Sequence, residues 1–472
     1  MKKIFFLIVA TALLQKVSAQ NEVTFPYLEN VFQSSYINSA HVPEHKVSIG
    51  LPGISSTYIG LTNTGFSFND LRNRTYFNAK NDKVDELAVG RTISGLKKEN
   101  YFYSAANVDL FSIRVKVKHY FWSFNVTEKF YNRISMPQDF LRLLWRGNVD
   151  GAPQEGLVKY DLKNIAFNTT HYREYGIGMV RQERKFVFAG RLKYLQGLSN
   201  VYFKPKNLAL TTEANMYDLS LTTDATVNTS GIPEDFDDFN ARRYLTNMKN
   251  PGLGLDGAIA YKLDKKWTLS FAFNNVGFIK WNDNIKNHSV KGGTTFAGAD
   301  LGPYILRTIK GDSLGLKDYL NQYGDTLQQA FKYRENSDKY STWLIPQFYF
   351  TAKYNLFSRT AVAGSIYLEK FIALRPAFTL ALYQEIGRAV NLVGTYSIQY
   401  GKFDNIGLGL VLKPHAVPLQ FYFAGDHLLT TYTLVNDTYV APLDSRTFNF
   451  RFGVNLVFGS IKTADKQTYV SK

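Results

Sequence analysis

Four stretches of the chain match patterns that carry chemistry in other proteins. His41-Val42-Pro43-Glu44-His45 reads H-x-x-E-H, in which two imidazoles on one helical face hold zinc and the carboxylate activates water. Pro43 removes that helix, because it has no N–H to donate and its ring clashes with the preceding turn, and no third ligand follows. Gly311-Asp312-Ser313-Leu314-Gly315 reads G-x-S-x-G, but a nucleophile elbow needs a buried parallel strand before it, and polar residues precede this one. Gly252-Leu253-Gly254-Leu255-Asp256-Gly257 reads G-x-G-x-x-G, yet residues 258–261 continue as a strand instead of opening a helix. Asp235, Asp237 and Asp238 form an acidic loop without the Gly and Glu of a calcium loop. The seven histidines form no cluster, and the absence of cysteine removes thiolate ligands, thiol nucleophiles and disulfides. The sequence therefore assigns no catalytic residue, no metal and no cofactor, and reads as a non-enzyme.

What remains with chemical character is cationic. Arg114, Lys116, Lys118, Arg191, Lys193, Lys262, Lys353, Arg375 and Arg451 each sit on the polar side of an alternating segment. The clearest acids on that side are Asp256 and Glu385. A lumen lined by one sign of charge focuses potential and favours the opposite sign. Arg114, Lys116, Arg191, Lys193, Arg375 and Arg451 are thus candidate ligand-binding residues for an anionic or amphipathic solute. The competing reading is that these cations solvate the lumen, pair with loop acids or meet anionic lipid. Nucleic acid is disfavoured as a partner, since the charge is dispersed into strands and not massed on one exposed surface.

The elements that position these residues follow from period-2 patterning. Phe448, Phe450, Phe452, Val454, Leu456 and Phe458 fall on one face of the last long segment, and Asn449, Arg451, Gly453 and Asn455 on the other. The same alternation recurs near residues 111–127, 267–274, 374–382 and 390–399. A soluble sandwich and a transmembrane barrel both produce it. Segments of about ten residues or more, aromatics near their ends, and tight connections alternating with long ones favour the barrel. Sixteen segments can be drawn, and fourteen if 200–210 and 214–223 are left out. The fold class is therefore all-β, an antiparallel transmembrane β-barrel of about 14 strands with 16 as the alternative. Short helices are expected at 136–145 and 316–331 in the long outer loops. A chain with 15% aromatics and a mean hydropathy of −0.21 fits, because apolar side chains occupy every second position and form no long run. At the N-terminus, Lys2 and Lys3, an apolar stretch over 4–14 and Val17-Ser18-Ala19 read as a cleaved signal peptide. The expected organisation is a signal peptide at 1–19, a plug-like segment at 20–45, the barrel at 46–460 and a periplasmic tail at 461–472.

Several segments together resemble a Bacteroidota outer-membrane barrel family without assigned chemistry. They are 33–40 (QSSYINSA), 46–52 (KVSIGLP), 173–178 (REYGIG), 190–197 (GRLKYLQG), 267–270 (WTLS) and 275–281 (NVGFIKW). That family looks related to the long-chain fatty-acid transporter (FadL-like) superfamily and to barrels of the type IX secretion system. The resemblance implies a 14-stranded barrel in the outer membrane of a Gram-negative bacterium, with Asn38, Ser39 and Ala40 in a plug inside the lumen, where the family usually has Asn-Pro-Ala. It implies outer-membrane lipid and lipopolysaccharide as surroundings, and a small hydrophobic or amphipathic molecule as partner. The alternative it leaves open is a structural or shuttle subunit of a secretion or surface-assembly machine.

Overall fold

The computed structural model of the protein describes residues 22–42, 44–65, 74–77, 83–86, 92–93, 95–146, 157–213, 218–233, 237, 240–297, 331–370, 374–399, 402–428, 433–435, 439–441 and 447–461. Fourteen antiparallel strands close into a barrel. They are β1 (His45–Gly50, continued by Thr57–Asn63), β2 (Glu99–Val117), β3 (Tyr120–Pro137), β4 (Ala166–Glu183), β5 (Phe186–Phe203), β6 (Asn250–Lys262) and β7 (Trp267–Trp281). The ring continues through β8 (Tyr340–Trp343, continued by Gln347–Phe357), β9 (Thr360–Lys370), β10 (Leu374–Ile386), β11 (Val390–Gln399), β12 (Lys402–Leu412), β13 (Leu419–Asp426) and β14 (Thr447–Ser460). Each strand pairs with its sequence neighbour, and β14 pairs with β1 to complete the circle. No strand edge is left open in the ring.

Alternation decides which side chains face where. Ile177, Leu192 and Leu380 point outward and are 56%, 60% and 65% exposed, while their neighbours Gly178, Arg191 and Ala381 point inward and are buried. An apolar exterior of this kind surrounds the whole barrel. One end is closed by tight turns. Lys118 and Arg184, the first residues of two-residue turns, take positive φ of 54° and 46°, which matches the twist of a hairpin. Aromatics gather at this end, with Trp267 against Tyr354 and Phe186 against Tyr261, both at 4.8 Å between ring centroids. All the long connections leave from the other end.

The segments at 200–210 and 214–223 do not add two barrel strands. Strands Leu157–Asp161, Asn207–Glu213, Asp218–Ser230, Ile285–Ala297 and Phe331–Asn336 form a separate antiparallel sheet beyond the long-loop end. It joins the barrel where 227–230 pairs with the end of β5. Their alternation is real, but one face rests on other protein: Tyr160, Leu162 and Leu210 pack with Phe140 and Leu143 of α1 (Gln138–Arg146). That helix is the one expected at 136–145, with Pro137 just before it. A second, short helix, α2 (Ala241–Leu245), lies against β4 and β5, with the Tyr244 hydroxyl 2.7 Å from His171 Nδ1. Among the described residues no helix is long and apolar enough to cross a membrane. The signal segment, residues 316–330 of the expected helix (Phe331 opens a strand instead), the Gly311–Gly315 motif, Asp235, Asp238 and all of the tail but Ile461 lie outside the described residues.

Candidate functional site in the barrel lumen

Residues 22–42 fold inside the barrel as two single 3-10 turns, Phe25–Tyr27 and Phe32–Tyr36. Pro26 fixes the first turn. Phe25, Tyr27, Leu28, Val31, Ile37 and Ala40 then form one apolar core with the lumen wall. The wall makes room by being small: Ala258, Ala260, Ala272, Ala363, Ala377 and Ala381 face this core. Removing an apolar side chain of this size from water contributes about 1.5–3 kcal/mol, so the plug is held first by burial.

Polar contacts then fix its position. The Asp426 carboxylate accepts from the backbone N–H groups of Val23 at 2.9 Å and Thr24 at 3.0 Å, and from the Thr24 hydroxyl. Gln33 and Asn455 exchange amide hydrogen bonds of 2.7 and 2.9 Å. Gln420 Nε2 donates to Asn30 O at 3.0 Å, and the Tyr36 hydroxyl donates to Asp109 at 2.8 Å. Asn274 donates to the Ile37 carbonyl from a bulge in β7, where Asn275 takes a φ of 59° and its N–H is held by Asp256 at 2.8 Å. Gly407 permits the docking, since a Cβ there would lie 2.0 Å from Thr24 Oγ1.

Three ion pairs tie the plug to three separate parts of the wall. Glu22 binds Arg451 of β14 through both oxygens at 2.6 and 3.0 Å. Glu29 pairs with Lys353 of β8 at 2.6 Å, and Glu44 pairs with Lys413, just after β12, at 2.6 Å. At the far end of the segment the Arg114 guanidinium donates to the His41 carbonyl at 3.1 Å and lies over the rings of Phe32 and Phe121. Burial, reinforced by Lys353 and Arg114 and opposed by Glu29, lowers the His41 pKa to about 4.

A second set of ion pairs lies within the wall, although Arg191 of this set also lies 4.2 Å over the Tyr36 ring of the plug. Glu174 of β4 is almost fully buried and holds Lys129 of β3 at 2.7 Å, with Arg191 and Lys193 of β5 at 3.0 and 3.5 Å. Asp256 of β6 takes Lys193 at 2.6 Å. Toward the long-loop end, Arg133 pairs with Glu369 at 3.3 Å and lies 4.8 Å over Tyr103.

The plug divides the interior. On the long-loop side is a chamber of about 120 Å³ lined by Tyr36, Tyr58, Tyr103, Tyr131, Tyr172 and Tyr349. On the tight-turn side is one of about 300 Å³, bordered by Asn38, Ala40, His41 and again Tyr349. A wider cavity of about 670 Å³ follows at the tight-turn mouth, where Lys353, Glu29 and Tyr383 stand. Residues 37–40 thus form the partition between the first two chambers.

The structure gathers some of the sequence candidates and separates others. Arg114, Arg191, Lys193 and Arg451 are inward and buried, and Lys116 is half-buried with Nζ 5.7 Å from the Phe121 ring. Arg375 lies opposite Glu369 in the β9–β10 register, and its side chain lies outside the described ones. Asn38, Ser39 and Ala40 are buried in the partition. The interior is not of one sign, as the alternation had implied, because Glu174, Glu369, Asp109 and Asp426 also face inward and the plug supplies further acids. Glu385 is exposed at the tight-turn mouth. Glu174 was legible, since it alternates with the outward Tyr175, Ile177 and Met179; the roles of Glu22, Glu29 and Glu44 were not. His41 and His45 share no helix: His41 Nδ1 lies 2.8 Å from Ser34 Oγ, and His45 opens β1. Among the described residues no group of side chains could hold a metal ion.

A family model described as a family of unknown function (DUF5723) matches residues 40–426. No curated protein matches the chain. Among solved structures, the chain is similar to a mutant of the TodX monoaromatic hydrocarbon channel, with 8% identity, TM-score 0.41, and coverage of 93% of this chain and 96% of that one. It is also similar to a FadL homologue of Pseudomonas aeruginosa, with 9% identity, TM-score 0.40, and coverage of 93% and 99%. A third is the toluene transporter TbuX of Ralstonia pickettii, with 7% identity, TM-score 0.40, and coverage of 94% and 97%.

Proposed function

The chain belongs to the family of unknown function (DUF5723), and from that premise and the geometry above we propose that it is an outer-membrane barrel that admits small hydrophobic or amphipathic solutes past its N-terminal plug. The observation that carries this reading is the partition: one thin segment, 37–40, separates two chambers that share Tyr349 as a common wall. The apolar exterior and the aromatic ring at the tight-turn end suit a bilayer and its interface. The tight turns then face the periplasm, and the long connections with their extra sheet face outward. A tyrosine offers an apolar ring face and a hydroxyl together, so the upper chamber suits a solute with both characters better than a pure hydrocarbon. Lumen cations are the complement for an anionic group on that solute. Lipid and lipopolysaccharide are the surroundings of the apolar band, and residues 1–19 are the export signal.

The test uses N-phenyl-1-naphthylamine as an amphipathic probe and the purified full-length chain in liposomes. Replacing Tyr103 and Tyr131 with Ala should weaken probe binding about two- to tenfold, the scale of one or two aromatic contacts. Thr24 and Thr395 place their hydroxyl oxygens 2.6 Å apart across plug and wall, so Thr24→Cys with Thr395→Cys provides a lock in a chain that has no other cysteine. Probe uptake should stop when the pair is oxidised and return on reduction. Uptake at the parental rate through the oxidised lock overturns the reading.

A further inference from the structure

Five buried or half-buried cations touch the plug; Arg191 lies 4.2 Å over the Tyr36 ring but keeps Glu174 of the wall, and the other four differ from it and from the remaining buried cations of the lumen. Among the described residues, Arg191, Lys193, Lys129 and Arg133 each have a wall carboxylate within 4 Å. Among the described residues, Arg451, Lys353 and Lys413 have carboxylate partners within 4 Å only from the N-terminal segment that precedes β1, namely Glu22, Glu29 and Glu44. Among the described residues, Arg114 has no carboxylate within 4 Å; it donates to a plug carbonyl, and its buried Nε finds no acceptor. These four stand on β14, on β8, beside β12 and on β2, so they are distributed around the ring and not massed at one seam. Among the described residues, the wall acids that bond the plug in return are Asp426 and Asp109, and Asp109 also holds the Thr127 hydroxyl, a wall group, at 2.7 Å.

We propose that the plug glutamates mask a ring of lumen cations, so that displacing the plug converts a charge-balanced lumen into an anion-selective pore. The plug carboxylates are, in this reading, stand-ins for the anionic group of a passing solute. Withdrawal takes Glu22 and Glu29 away from the lumen axis and leaves Arg451, Lys353 and Arg114 facing it, while Glu44, whose carbonyl accepts from the Ile461 N–H at 2.8 Å where β1 begins, stays beside Lys413. Positive side chains in a narrow, low-dielectric conduit raise the local concentration of anions. The wall network around Glu174 stays balanced throughout, because none of its ion pairs involves the plug. The inference rests on the proposed movement of the plug and adds the charge of what moves through.

The experiment is reversal-potential measurement in planar bilayers under a potassium chloride gradient, using the full chain. Glu22→Gln, Glu29→Gln and Glu44→Gln together, in a Gly407→Val background whose overlap with Thr24 Oγ1 drives the plug off the wall, should open a conductance that prefers chloride over potassium by about fivefold, within the range that lumen charge supplies. Adding Arg451→Gln, Lys353→Gln and Lys413→Gln should keep the conductance and bring the preference to within about twofold of unity. Folding of each variant is checked by heat-modifiable migration on gels. A conducting triple variant without chloride preference overturns the proposal, and so does a folded triple variant that stays closed. If that variant does not fold, Gly407→Val alone, which displaces the plug and leaves its glutamates unsubstituted, should give openings with the same preference, and openings of the opposite preference, or none, overturn it. The two readings fail separately: if the oxidised Thr24–Thr395 lock still blocks probe uptake while selectivity is absent, only the charge mask is wrong; if the lock does not block uptake, plug movement itself is wrong.

Discussion

The wall network around Glu174 and the plug's ion pairs use the same chemistry at similar distances, yet they are built for different events. Glu174, Lys129, Arg191, Lys193 and Asp256 come from four consecutive strands, β3 to β6, whose register sets their spacing. One acid serves three cations, so no member can leave without stranding the others. The plug pairs each join one acid to one base more than 300 positions apart, with hydroxyls such as that of Tyr383 on Glu29 as further partners. They can separate while every strand pairing stays intact. A charge cluster fixed by register stabilises a wall, whereas dispersed pairs hold an inserted segment, as the proposed plug movement requires.

Glu174→Gln should break this comparison most severely. It leaves a buried cluster of cations short of its shared carboxylate, a change that costs about 3–5 kcal/mol. Denaturant unfolding of the detergent-solubilised barrel would register it, and a change below about 1 kcal/mol would show that the network is hydrated and not structural. Gly407→Val tests the other region. Its side chain would overlap Thr24 Oγ1, and overpacking of this kind costs about 1–3 kcal/mol. The expected result is an N-terminus open to limited proteolysis on a barrel of parental unfolding midpoint. Glu29→Gln is milder, because Lys353 and Glu29 are 23% and 32% exposed and water already screens them. A loss of about 1 kcal/mol or less in plug docking is expected, with no change in barrel unfolding.

A last test of the plug region concerns pH. His41 in the docked plug releases its proton near 4, while the free imidazole does so near 6.5. The neutral form is therefore favoured by docking, because burial penalises the charge. Docking is fully present above about pH 6.5 and weakens as pH falls from there toward 4. Protease sensitivity of the N-terminus should rise across that window, and His41→Gln should flatten the rise. A profile unchanged by the substitution would assign the titration to another group.

Much of this was legible before any contact was known. Period-2 patterning placed Arg114, Arg191, Lys193 and Arg451 on the inner face because a strand side chain has only two directions available. The same rule would have placed Glu174 there. Patterning did not separate the barrel from the added sheet at 207–213 and 218–230, since an apolar face looks the same whether lipid or protein covers it. Nor could it assign the inward alanines a role, for small residues read as weakly polar until Phe25 and Leu28 are seen against them.

Taken alone, the sequence determined the fold class, the faces of the strands, the side that bears the long loops and the absence of thiol chemistry. These follow from local geometry and composition, which need no partner. The tertiary structure decided the number of strands in the ring, the pairing of each lumen cation and the position of the plug. Those depend on which distant residues share a height in the barrel, as Glu22 does with Arg451, and such heights are fixed by the register accumulated around a closed ring of strands.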